Sequence, residues 1–98
     1  MTIDQVIEKA SEYLGEEDIS FLQKAYEYAE EHHSGQYRKS GEPYILHPIQ
    51  VAGIIVGLQL DPNTVAAAFL HDVVEDTDVT VEDIENTFNA EVAMLVDG

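Results

Sequence analysis

Four ionisable side chains, His71, Asp72, Glu75 and Asp76, crowd into six positions directly after an apolar run, VAAAFL at residues 65–70. On a helix, His71 and Asp72 leave the axis about 100° apart and flank a common edge. His71 with Glu75, and Asp72 with Asp76, stand four residues apart, so each pair shares a helical face. Imidazole nitrogen together with carboxylate oxygen suits Mn²⁺, Fe²⁺ or Zn²⁺. One member of a pair can hold such an ion while the other meets water or substrate. The bland alternative is a solvated acidic helix end. Two costs count against it. Like charges at Asp72 and Asp76 repel by a few tenths of a kcal/mol, and carboxylates at a helix C-terminus oppose the macrodipole. A bound dication removes both.

Two further groups can join this chemistry. His47 follows Tyr-Ile-Leu and precedes Pro48, at the mouth of an apolar helix. Taken alone it is a capping or packed histidine; set beside the helix that carries His71, it can reach the same ion. Arg38 and Lys39 are adjacent in the loop SGQYRKSGEP, residues 34–43, and make up half of the chain's four Lys and Arg. An arginine there can stack on a base or fork onto phosphate, and a lysine can meet phosphate as a point charge. The alternative is a solubilising loop tip. His33 ends an apolar helical face and reads as a packed or supporting residue, and His32 reads as exposed.

The elements that must position these groups are all helical, about five to six in number. Ile3, Val6, Ile7, Ala10 and Leu14 follow the spacing of one helical face, with Thr2 and Gln5 as a capping box and Gly15 as a stop. Leu22, Ala25, Tyr26, Ala29 and His33 repeat that spacing, which predicts a second helix over about 18–33. Two glycines and a proline make 34–43 a loop. Pro48 suits the first turn of a third helix over about 48–59, and Asp61-Pro62 opens a fourth over about 62–76. Both are apolar nearly all round, the pattern of helices in the middle of a bundle. Thr80 with Asp83 caps a fifth helix whose face is Val81, Ile84 and Phe88, and EVAMLV starts a sixth. The β-branched stretch VVEDTDVTV is the only rival strand, and its acidic residues and the Thr80 cap speak against one.

Composition sets outer bounds. Ninety-eight residues suffice for one domain. With no cysteine, neither a disulfide nor a thiolate metal site is possible, which fits a reducing cytoplasm. No apolar run reaches the roughly 18–20 residues that span a bilayer, and the N-terminus lacks a signal pattern. A formal charge of -16 repels nucleic acid backbones and anionic membranes. An anionic substrate therefore needs a local cationic patch or a metal ion.

Taken in order, HSGQYRKSGEPYILHPIQVAGI and LDPNTVAAAFLHDVVEDTDVT resemble the N-terminal HD domain of the RelA/SpoT family of bifunctional (p)ppGpp synthetase/hydrolases, over about residues 20–98. An HD dipeptide alone is a weak signal; RKSGEPY, a His-Pro pair and HDVVEDT at this spacing are specific. The resemblance implies an all-α HD-domain bundle. It implies His47, His71 and Asp72 as metal ligands, with Mn²⁺ the usual ion. Glu75 and Asp76 become the acidic pair that orients or activates water. Arg38 and Lys39 become contacts to the guanine nucleotide, with Ser40 and Tyr44 nearby. The implied reaction, part of the stringent response, removes the 3′-pyrophosphate of ppGpp or pppGpp and leaves GDP or GTP and pyrophosphate.

The family also has a metal-binding aspartate downstream of the Val96-Asp97-Gly98 sequence, which this chain does not contain. The chain is therefore expected to be the N-terminal part of the hydrolase domain, incomplete at its C-terminus and without the synthetase and regulatory domains. Weak metal binding and little hydrolysis are expected of it alone. Exposed apolar faces should favour self-association. Three other readings remain. The chain can belong to a small stand-alone alarmone hydrolase, to another HD phosphohydrolase acting on a different nucleotide, or to a non-catalytic acidic helical module that binds a partner protein.

Overall fold

The computed structural model describes residues 2–33 and 46–97, with main chain alone at Leu46 and His47. The described residues form six α-helices: α1 (Ile3–Ser11), α2 (Glu16–His33), α3 (Leu46–Gly57), α4 (Pro62–Asp76), α5 (Val81–Thr87) and α6 (Ala90–Asp97). The all-α expectation holds, and VVEDTDVTV forms the end of α4, a turn and the start of α5. None of these helices is long and apolar enough to cross a membrane.

Local chemistry sets most boundaries. The Thr2 hydroxyl accepts the Gln5 amide at 3.3 Å while the Gln5 side chain accepts the Thr2 amide at 2.8 Å, the reciprocal box expected at the start of α1. α1 stops at Ser11, earlier than the apolar spacing through Leu14 suggests, although the Leu14 amide still reaches the Ala10 carbonyl at 2.9 Å. α2 starts at Glu16, two residues before the expected Asp18. Three acidic residues, Glu16, Glu17 and Asp18, fill its first turn and complement the positive end of the helix dipole. α3 begins at Leu46 and not at Pro48. Proline is still in the first turn, where its missing N–H is not needed. At the start of α6, the Asn89 side chain accepts the Val92 amide at 2.8 Å and donates to the Asn63 side chain of α4 at 3.0 Å.

α4 is the central element and packs against α2, α3 and α6. Its Val65, Ala66, Phe69, Leu70 and Val73 are fully buried. Burying one such aliphatic or aromatic side chain stabilises by roughly 1.5–3 kcal/mol. Alanines at 25 and 29 on α2 let the two helices approach, and Tyr26 meets Phe69 edge-to-face at 5.7 Å. α5 is tied to α2 by Phe88, which stands edge-on to Phe21 and Tyr28. The Lys24 ammonium sits 5.0 Å from the Phe88 ring centre and donates to the Thr87 carbonyl at 2.7 Å, where α5 ends.

α3 departs from expectation. Like α4 it is apolar nearly all round, but it packs on α1 and α4 and leaves Ile54 and Leu58 68% and 66% exposed. An apolar composition gives no sidedness, so it cannot tell a middle helix from one with an uncovered face. α3 ends in a Schellman arrangement: the Leu60 amide reaches the Ile55 carbonyl and the Gln59 amide reaches the Val56 carbonyl. Gln59 takes the left-handed position with φ 56°. The neighbouring Leu60 carbonyl accepts the Tyr13 hydroxyl at 2.7 Å, which fastens the end of α1 to this turn.

Two outcomes follow from these contacts. A side chain at left-handed φ is disfavoured relative to glycine, so Gln59→Gly should stabilise the chain by up to about 1 kcal/mol, read as a higher melting temperature. Burial, then the hydrogen bond to Glu30 and the nearby charges of Glu30 and Asp4, push the Tyr26 hydroxyl from 10.0 up to about 12. A raised pKa means that the neutral form is favoured on folding. This contribution is complete below pH 10 and fades as pH rises toward 12. In a titration followed by tyrosinate absorbance, Tyr26→Phe should remove a phase near pH 12.

Candidate metal centre

The centre is built from the last two turns of α4. Phe69, Leu70 and Val73 face the core, and the helical period then turns His71, Asp72 and Glu75 toward the surface. His71 Nδ1 lies 3.5 Å from Asp72 Oδ1, with the two side chains 50% and 19% exposed. Donor atoms of His71, Asp72 and Glu75 all lie within 4.8 Å of one another, the single group of this kind among the described residues. One imidazole and two carboxylates supply nitrogen and hard oxygen donors, a set that fits Mn²⁺, Fe²⁺ or Zn²⁺. His71 and Asp72 are two of the three expected ligands. Glu75, expected to act on water, stands close enough to belong to the donor set itself.

His71 and Asp72 also form one end of a groove of about 270 Å³. Its apolar walls come from Val51 and Ile55 of α3, Ala67 and Ala68 of α4 and Leu95 of α6. The start of α4 is fixed by Asp61, whose carboxylate accepts the Thr64 hydroxyl at 2.7 Å and the Thr64 amide at 3.3 Å. Those hydrogen bonds hold the Asp61 carboxyl below its usual range.

Asp76 is not in the donor group. It lines a second cavity of about 500 Å³ with Tyr28 and His32 of α2, and with Asp78 and Asp83. His32 was expected at the exposed surface; it is half-buried instead, because its ring packs 4.2 Å from that of Tyr28. Its Nδ1 lies 2.9 Å from the Tyr28 carbonyl, which can only accept, so Nδ1 carries the proton. Burial, and the Asp83 charge after it, push the Tyr28 hydroxyl up. His33 is 3% exposed, as a packed residue.

The His47 side chain lies outside the described residues, and so do Arg38, Lys39, Ser40 and Tyr44. Sequence reasoning missed what ends α4. The Thr77 hydroxyl donates to the Val73 carbonyl at 2.5 Å and accepts the Val79 amide at 3.2 Å. A threonine just after an acidic helical turn was the available signal.

Comparison with known proteins fits this geometry. A family model described as HD domain matches residues 25–98. The chain is 50% identical over 95 residues to the guanosine-3′,5′-bis(diphosphate) 3′-pyrophosphohydrolase of Vibrio cholerae, covering 97% of this chain and 14% of that protein. It is 51% identical over 86 residues to the bifunctional (p)ppGpp synthase/hydrolase SpoT of Escherichia coli, covering 88% of this chain and 12% of that protein. A GTP pyrophosphokinase of Myxococcus xanthus is 48% identical over 88 residues, covering 90% of this chain and 12% of that protein. The chain thus spans about one seventh or less of the length of these relatives. With the family model matched over three quarters of its residues, the chain belongs to the HD domain family, and its relatives are proteins of the RelA/SpoT type.

Proposed function

We propose that this chain is the metal-binding part of a hydrolase that removes the 3′-pyrophosphate of (p)ppGpp, working as a segment of a longer cytoplasmic synthetase/hydrolase. The observation that carries this reading is the convergence of His71, Asp72 and Glu75 on one edge of α4. The substrate class comes from the activities named for its relatives.

His71, Asp72 and Glu75 would hold a divalent cation, for which Mn²⁺ is the assignment, and His47 would add a second imidazole from the start of α3. When bound, such an ion lowers the pKa of water and offsets phosphate charge. The chain's own residues supply the rest. Glu75, exposed beside His71 and Asp72, offers two carboxylate oxygens, one for the ion and one for the proton of the attacking water. Asp76 lines the neighbouring cavity and carries no step here. The water adds its oxygen to phosphorus as the bond to the ribose 3′-oxygen breaks; that oxygen takes up a proton from solvent, and pyrophosphate and GDP or GTP are released. Arg38 and Lys39 balance charge on the nucleotide, with Ser40 and Tyr44 beside them.

Charge supports an ion-dependent site. No Lys or Arg occurs from residue 46 onward, and Lys24 is engaged at the end of α5. A substrate with this many phosphates meets an acidic surface and needs the cation to approach. The alternative of a non-catalytic acidic module leaves the clustered donors at His71, Asp72 and Glu75 without a role.

The test is Mn²⁺-dependent release of pyrophosphate from ppGpp by the full-length gene product. His71→Ala and Asp72→Ala should each lower kcat/KM by more than ~100-fold, beyond the loss seen when only a group that orients a metal ligand is altered. Near-normal turnover in either variant would contradict the assignment. The 98-residue chain itself should self-associate through the uncovered apolar side chains Ile54, Leu58 and Met94. Light scattering should give more than the monomer mass at high concentration, and Ile54→Ser with Leu58→Ser should restore the monomer.

A further inference from the structure

The donor group sits on the least secure part of its helix. Glu75 and Asp76 end α4, and Asp72 lies one turn earlier. Carboxylates at this end oppose the helix dipole, and Asp72 and Asp76 repel at a spacing of four. No basic side chain occupies the last turn to compensate. A turn of this composition frays unless something holds it, and fraying would carry Glu75 away from His71 and Asp72.

The structure shows what holds it. The Thr77 backbone amide reaches the Val73 carbonyl at 3.0 Å, and the Thr77 hydroxyl donates to that same carbonyl at 2.5 Å. The hydroxyl oxygen then accepts the Val79 amide at 3.2 Å. Thr77 itself is extended, with φ -132° and ψ -178°, so the chain leaves the helix abruptly. Two residues later Val79 is 8% exposed, and Thr80 opens the capping box of α5 with Asp83. The last turn of α4 is thereby pinned to a buried anchor and to the next helix, through one hydroxyl that bonds on both sides.

We propose that Thr77 is a positioning residue for the metal centre: its hydroxyl locks the final turn of α4 and so keeps the Glu75 carboxylate beside His71 and Asp72. The inference rests on the proposal that these three residues hold a divalent cation. A threonine that served only as a helix cap would lower thermal stability when altered and leave ion affinity unchanged well below the melting temperature. A positioning threonine changes affinity as well, and serine in its place restores it.

The experiment is titration of the full-length gene product with Mn²⁺, with free ion measured by electron paramagnetic resonance. It compares the unsubstituted protein with Thr77→Ser, Thr77→Ala and Thr77→Val. Backbone amide exchange without metal is followed in the same four proteins. Thr77→Ser should bind within about twofold of the unsubstituted protein, and Thr77→Ala and Thr77→Val should each bind about tenfold more weakly, the lower end for groups that orient metal ligands. Exchange should quicken at residues 75–77 and stay unchanged at Leu70. Should the valine variant unfold, the serine and alanine variants still differ by the hydroxyl alone. Equal Mn²⁺ affinity in the alanine and serine variants would overturn the inference while leaving the metal reading intact. No Mn²⁺ uptake by the unsubstituted protein would overturn the metal reading and the inference with it.

Discussion

α4 is held by apolar burial on one side, and this burial determines what its other side can present. Phe69, Leu70 and Val73 are sealed in the core, so the rotation of the helix about its axis is settled. Turning it by one residue, about 100°, would drive a carboxylate into the bundle. An unpaired carboxylate there costs several kcal/mol. His71, Asp72 and Glu75 therefore come to the surface together as a consequence of packing, and the small groove beside them is walled by apolar side chains of α3, α4 and α6.

The same helix brings its acidic end into conflict with its own dipole. Capping resolves part of this at both ends. Asp61 and Thr64 secure the start, and Thr77 and Val79 secure the finish. The remaining charge is left at the donor group, which is where a divalent cation would neutralise it. This division fits a protein with twenty acidic and four basic residues. A site for an anionic nucleotide in such a chain depends on concentrating positive charge locally, whether as an ion or in the Arg38-Lys39 pair.

Much of this was legible in the sequence because the signals were local. Capping boxes at Thr2 and Thr80, the Asp61-Pro62 start and the three-four spacing of Leu22, Ala25 and Ala29 each depend on neighbours a turn apart, and each appears where it was expected. What was not legible depends on tertiary packing. The all-apolar pattern of α3 could not show that Ile54 and Leu58 stay outside. His32 is a different case: Tyr28 stands four residues earlier on the same helix and packs on its ring, a local signal that the exposed reading overlooked. The site was partly legible for the same reason. His71, Asp72 and Glu75 lie on one helix, so periodicity alone brings them together. Asp76, one residue further, turns toward α2 and lines a different cavity. The His47 side chain lies outside the described residues, and no spacing along the chain could tie it to a site on another helix.

The most direct measurement is an anomalous difference map from crystals of this chain grown with Mn²⁺ and recorded at the manganese edge. Shared coordination requires one dominant peak bounded by His71 Nδ1 or Nε2, an Asp72 oxygen and a Glu75 oxygen. A dominant peak among Asp76, Asp78 and Asp83, or no peak near α4 in crystals that hold Mn²⁺ elsewhere, would contradict the shared site.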